Sequence, residues 1–303
     1  MGNIIVVVSV DWEGRSLLPE NLRLMSELRR KHPDVPFQHF LNAAYYTRQN
    51  IDAQHTSRLI RDVLLPDDDH GLHIHAWRSL LSAAGVELDE SPSLLQESAQ
   101  VPRAPDDWGF YPPEKGYDTP LEHLSLESLD KIIRTSVRIL VDEGFRTPTT
   151  FRAGAWMSGP KVQAALAKNG FVADCSAVCV DPVERRFGQI PLCEWLRQLW
   201  PTIDETSQPY RLNTPSAALW QVPNNANLVD YLSADETVAI FERNAARWRE
   251  NSENNYFVST GFHQETARVF LSRLDEAITA IKSVALQRRL PFIFTARPQD
   301  YIG

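Results

Sequence analysis

Two kinds of side chain recur at a spacing of two. Asp11 and Glu13 stand two apart in Ser9-Val10-Asp11-Trp12-Glu13-Gly14, and His73 and His75 two apart in Gly71-Leu72-His73-Ile74-His75-Ala76-Trp77. On an extended chain, residues i and i+2 point to the same side, so each pair presents two like groups together. Converging carboxylates are costly unless a cation or proton is shared between them. Imidazoles paired in this way at the end of a strand offer two nitrogens to one metal ion. Three more groups follow or end short apolar runs. Arg152, in Thr150-Phe151-Arg152-Ala153-Gly154, can clamp a carboxylate and hold it ionised. Asp174 opens Asp174-Cys175-Ser176, and His263 lies in Thr260-Gly261-Phe262-His263-Gln264-Glu265-Thr266. Any one of these residues alone is usually a packed core or turn residue. Their coincidence at successive run ends is what points to chemistry. His70 falls off the register of His73 and His75 and reads as a loop residue.

Elements far apart in the chain must bring these positions together. Residues 4–10 are a near-continuous apolar run, of the kind buried on both faces of a parallel sheet. Further strands are expected at 36–43, 72–77, 149–152, 171–176, 219–222, 256–262 and 290–295. Helical periodicity falls between them, at 21–31, 53–65, 126–143, 160–168, 234–249 and 265–288. Ser125 is the expected N-cap of the third helix, Asn169-Gly170 ends the fourth, and Ser233-Ala234-Asp235-Glu236 reads as a capping box. Seven or eight alternating units argue for an α/β fold with a parallel sheet closed into a barrel. In such barrels reactive groups gather at the C-terminal strand ends, where all the residues above fall. We expect one catalytic domain over 1–303, with insertions on its rim at about 78–123 and 180–216.

Composition narrows the function. The formal net charge of −8 disfavours general binding to nucleic acid, which relies on clustered cations. The short basic runs at 29–31 and 288–289 read as solvated helix ends. Three cysteines without CxxC spacing give neither a disulfide framework nor a cysteine-rich zinc site. Residues 1–3 lead straight into the first strand with no signal-peptide pattern, and no apolar run reaches the roughly 20 residues of a membrane span. The cytoplasm is the expected compartment.

Taken in order, segments 9–14, 71–77, 151–154, 174–176 and 261–266 resemble the motif series of the polysaccharide deacetylase family, the NodB-homology or carbohydrate esterase 4 type. The resemblance runs from residue 4 to about 296. It implies a distorted (β/α)7-8 barrel and metal-assisted removal of an acyl group, usually acetyl from an amino sugar. Carried onto this chain, it makes Asp11 the base toward water. Glu13, His73 and His75 become ligands of a divalent metal, with zinc expected. Arg152 would orient Asp11, His263 would be the general acid toward the leaving amine, and Asp174 would tether or tune His263. Two departures stand out: the family's adjacent aspartates become Asp11-x-Glu13, and its histidines, usually four apart, become His73-x-His75, with Trp77 where the second would stand.

The chemistry is coherent, since two imidazoles and a carboxylate leave a metal position open, and an amide needs both a nucleophile and protonation of its leaving group. The expected substrate is a small-molecule or carrier-linked acetamido sugar. Trp108, Phe110, Tyr111 and Tyr117 in the first insertion, and Trp195, Trp200 and Tyr210 in or near the second, suit either sugar rings or the anchoring of their own loops. Asn224-Asn225 is expected to face the pocket. Two other readings stay open: metal-independent hydrolysis of a cyclic amide, as in allantoinase-type relatives, and a non-catalytic sugar-binding relative.

Overall fold

A computed structural model describes residues 1–87, 94 and 114–302. The N-terminal apolar run forms β1 (Ile4–Asp11), buried along its whole length. The chain continues with α1 (Pro19–Lys31), β2 (Phe37–Asn42), α2 (Ala53–Arg61), β3 (Asp69–Ile74), α3 (Arg78–Ala83), α4 (Leu126–Asp142), β4 (Thr150–Ala153), α5 (Pro160–Lys168) and β5 (Ala173–Asp174). It ends with α6 (Asp181–Phe187), α7 (Pro191–Leu199), β6 (Tyr210–Asn213), β7 (Ala218–Gln221), α8 (Ala234–Glu250), β8 (Tyr256–His263), α9 (Ala267–Arg288) and β9 (Phe292–Phe294).

These strands form one curled, mostly parallel sheet in the order β6-β7-β5-β4-β3-β2-β1-β8, the α/β barrel-like architecture the alternation predicts. The antiparallel β6–β7 pair lies at one end of that path. One edge of β1 runs its full length against β8. The other edge is divided: residues 8–11 pair with β2, and residues 4–6 pair with β9. β1 is thus enclosed by strands from the second unit and from the far end of the chain.

Side chains, not a strand, span the gap between β7 and β8. The Asn225 amide donates to the Phe257 carbonyl and accepts from the Ser259 N–H, both at 2.9 Å, as a neighbouring peptide would. Asn224 donates to the Ser259 carbonyl at 2.9 Å. Backbone contacts from Ala226 to Ser259 and from Val229 to Gly261 continue the seam. Asn224 and Asn225 therefore close the barrel wall, which corrects the expectation that they face the pocket.

The helix caps are as expected. Ser125 accepts from the Ser128 N–H, and Ser233 and Glu236 form the reciprocal capping box. Three local expectations change. β3 starts at Asp69, so His70 belongs to a strand, where its ring meets the Arg146 carbonyl at 2.8 Å. β5 is only two residues long. Residues 180–216, expected to be irregular, hold α6, α7 and β6; Pro182 and Pro191 open the two helices, where a missing N–H costs nothing. Leu192, Cys193 and Leu196 of α7 pack with Val178, Val183 and Trp200 in a satellite hydrophobic cluster. In the first insertion, Trp108, Phe110 and Tyr111 lie outside the described residues. Among the described residues, no helix is long and apolar enough to cross a membrane.

Candidate active site

Strand register alone joins the distant residues. Across β1 and β8, Asp11 is the partner of His263, and across β3 and β4, His73 is the partner of Arg152. Glu13 lies just beyond β1, where the chain turns at Gly14 with φ +75°, a conformation costly for residues with a Cβ. Its carboxylate reaches His73 Nε2 at 3.3 Å, His75 Nε2 at 2.8 Å and His263 Nε2 at 3.6 Å. All of these side chains are buried. His75 packs so tightly on β4 that a Cβ at Gly154 would come within 2.3 Å of its ring.

The tautomers of the paired histidines follow from their other nitrogens. His73 Nδ1 meets the Arg152 carbonyl at 2.9 Å, and His75 Nδ1 meets the Tyr117 carbonyl at 2.5 Å. A carbonyl only accepts, so each Nδ1 carries the hydrogen and each neutral ring turns its Nε2 lone pair toward Glu13. Burial pushes His75 below the ordinary imidazole value, against the pull of Glu13. Burial would raise Glu13, but positive charge at His75 and His263 and contacts with both paired imidazoles hold the carboxyl well below the usual range; with the paired rings neutral, a cation lying between them would have to supply that charge. With both rings neutral, the carboxylate faces two lone pairs. Among the described residues, Glu13 Oε2, His73 Nε2 and His75 Nε2 are buried with no hydrogen-bond partner. Acceptors crowded against acceptors need positive charge between them. Donor atoms of the three residues all lie within 4.8 Å of one another, and two imidazoles with one carboxylate suit a divalent ion such as zinc. The residues fit a metal.

Two charged pairs flank this cluster. Arg152 donates from Nη1 to Asp11 Oδ1 at 2.8 Å and to Ser9 Oγ at 2.7 Å, and from Nε to the Cys175 carbonyl at 3.0 Å. His263 Nδ1 is bound by Asp230 Oδ1 at 2.9 Å, and Thr266 donates to the same oxygen at 2.5 Å. Burial opposes a charged imidazole at His263, but Asp230, Glu13 and Asp11 outweigh it and raise this group to about 9. Nε2 is then the nitrogen turned to the Glu13 side.

The structure brings Asp11, Glu13, His73, His75, Arg152 and His263 together at one end of the barrel; Asp174, at the end of β5, is not the partner of His263. Asp174 accepts instead from Ser158 Oγ at 2.7 Å and from the Ser176 N–H and Oγ at 3.0 and 2.5 Å. Burial lifts its carboxyl to about 6 against those hydrogen bonds. The expectation that Asp174 tethers His263 is corrected: β5 borders β4, whereas the loop after β7 delivers Asp230 to the end of β8. Asp230 was missed in the sequence, though an acid in a loop following a strand is the signal that found the others. Tyr117, expected to suit a sugar ring or to anchor its loop, stacks its ring on His75 at 4.2 Å, and its carbonyl fixes that histidine's tautomer.

No protein-family model matches the chain, and no curated protein sequence matches it. Solved structures do match. One assigned to the polysaccharide deacetylases from Mycobacterium smegmatis aligns with TM-score 0.57 at 11% identity, covering 99% of this chain and 89% of the other. A second with the same assignment, from Pseudomonas aeruginosa PAO1, gives TM-score 0.54 at 13% identity over 98% of this chain and 89% of the other. An allantoinase gives TM-score 0.54 at 14% identity over 98% of this chain and 88% of the other. The chain has the curled (β/α) barrel fold shared by these proteins.

Proposed function

We propose that this chain is a metal-dependent hydrolase that removes the acetyl group from an N-acetylated amino sugar, free or carrier-linked. The observation that carries this reading is the convergence of two imidazole lone pairs on an ionised carboxylate, between an Asp–Arg pair and a His–Asp pair. Sharing a fold with polysaccharide deacetylases supports it. A divalent cation held by Glu13, His73 and His75, with zinc as first candidate, supplies Lewis-acid chemistry at the scissile amide. Asp11, oriented by Arg152, accepts the proton of the attacking water. His263, kept protonated by Asp230, donates from Nε2 to the leaving nitrogen, so acetate and a free amine result. Tyr231 lies edge-on to His263 at 6.2 Å, with Trp156 and Phe187 packed behind it, and offers an apolar wall for the acyl group.

The test joins metal analysis with acetate release from N-acetylglucosamine, both free and nucleotide-linked. His73→Ala and His75→Ala should each lose metal and activity; if both keep metal and full turnover, the site is wrongly assigned. A second reading, hydrolysis of a cyclic amide without metal, draws on the altered histidine spacing and on a likeness to an allantoinase as close as that to one of the deacetylases. Ureide turnover undiminished by exhaustive chelation would favour it.

A further inference from the structure

A carboxylate ligand on a loop is only as well placed as its own peptide. Both main-chain polar atoms of Glu13 are gripped by side chains from other strand ends. Its N–H donates to Glu265 Oε2 at 3.2 Å, and its carbonyl accepts the Trp77 indole N–H at 2.8 Å. Glu265 follows β8 and Trp77 follows β3, and both are fully buried.

Neither residue is a simple packing group. Glu265 Oε1 also accepts the Arg15 N–H at 3.3 Å and the Tyr45 hydroxyl at 2.6 Å, while its own carbonyl accepts from Asn21 at 2.8 Å. Three donors thus converge on two carboxylate oxygens, which a glutamine with its single acceptor oxygen could not serve. Placing a second carboxylate beside Glu13 is electrostatically unfavourable, so its retention calls for a purpose beyond filling space. Trp77 stands four residues after His73, and its N–H turns toward the Glu13 peptide, not outward.

We propose that Trp77 and Glu265 are positioning residues that preset the Glu13 carboxylate for its cation, holding the Glu13 peptide from the β3 side and the β8 side at once. The proposal rests on the metal reading above. The strand ends that supply the two grips also supply His75 and His263, so carboxylate, imidazole and acid keep one mutual geometry. In this chain the longer Asp11-x-Glu13 spacing moves the ligand out onto a loop, and the double grip restores the rigidity a strand would have provided.

The test is Co2+ titration of the metal-stripped full chain, read by calorimetry and by the visible spectrum of the bound ion. Trp77→Phe keeps an aromatic side chain but loses the N–H together with the five-membered ring that bears it; Glu265→Gln keeps the shape and removes one acceptor. Each variant should bind Co2+ about 10-fold or more weaker than wild type and shift the visible bands. A role limited to fold stability would lower only the melting temperature of the metal-free protein. Unchanged Co2+ affinity and bands in both variants, with wild type binding tightly, would overturn the proposal while leaving the metal site standing. If wild type itself binds no Co2+, the metal reading fails and the proposal with it. Should Glu265→Gln not fold, Trp77→Phe decides alone.

Discussion

A neutral imidazole has one proton to give, and His73 and His75 have both committed theirs to main-chain carbonyls. That commitment leaves two Nε2 lone pairs beside a carboxylate, a set suited to a cation. At this scale the exchange of Asp174 for Asp230 is directly testable. Asp230→Asn removes the anion that charges and aims His263, so kcat should fall about 100-fold or more, the usual share of a positioned general acid. Asp174→Asn should cost far less, and equal losses in the two variants would undo the reassignment. Asp174 has a separate signature. Its carboxyl titrates near 6 in the fold against an ordinary value of 3.8, so the native state holds this proton more tightly than the unfolded chain. Stability should therefore fall as pH rises from about 4 to about 6, by at most about 3 kcal/mol, and urea titrations of Asp174→Asn should lack that decline. The i, i+2 pairs were legible in the sequence because strand alternation is a strict rule. Asp230 was not, since a loop residue's direction depends on where the chain returns. Glu265 could be read as a motif member, but its acceptor role depends on Tyr45 and residues 13 and 15, which no local pattern connects to it.

Strands rich in apolar residues and helices with clear caps could be read from the chain; elements shorter than their own periodicity could not. The strand expected at 171–176 shrinks to the two residues of β5, too few to mark their own bounds, and α6, at seven, barely completes two turns. The wall between β7 and β8 was equally hidden, because Asn225 imitates a peptide with its side chain and leaves no strand pattern. Asn225→Leu keeps similar bulk, strands the Ser259 N–H and leaves the Phe257 carbonyl only the long 3.4 Å contact from Gln208, and should destabilise the protein by about 1–3 kcal/mol, the cost of one unsatisfied buried group. Chemical denaturation of the purified variant measures this; a loss under about 0.5 kcal/mol would mean that water replaces the amide at no cost.

For the molecule as a whole, the crowded acceptors of Glu13, His73 and His75 carry a cost that a bound cation would offset. A ligand that binds only the folded state stabilises it by about 2.7 kcal/mol when present at 100 times its dissociation constant. Adding zinc to stripped protein should raise the melting temperature accordingly, and the gain should vanish in His75→Ala. An identical melting curve with and without metal would count against a native-state site. The barrel itself was foreseeable from the alternation of its units, but its way of enclosing the first strand was not, since three apolar runs compete for the same two edges.

That divided edge of β1 bears on how the protein comes into being. Once made, β1 must wait for β8 before one flank is covered, and for β9 before the lower half of the other is. Helices close in the chain such as α4 and α5 can dock early, but Asp11 has no neighbour on its β8 side until some 250 residues later. Contacts so distant along the chain make for slow, late assembly. The nascent polypeptide must carry an uncovered hydrophobic ribbon until β8 has been made, and this is where a chaperone's protection would matter most.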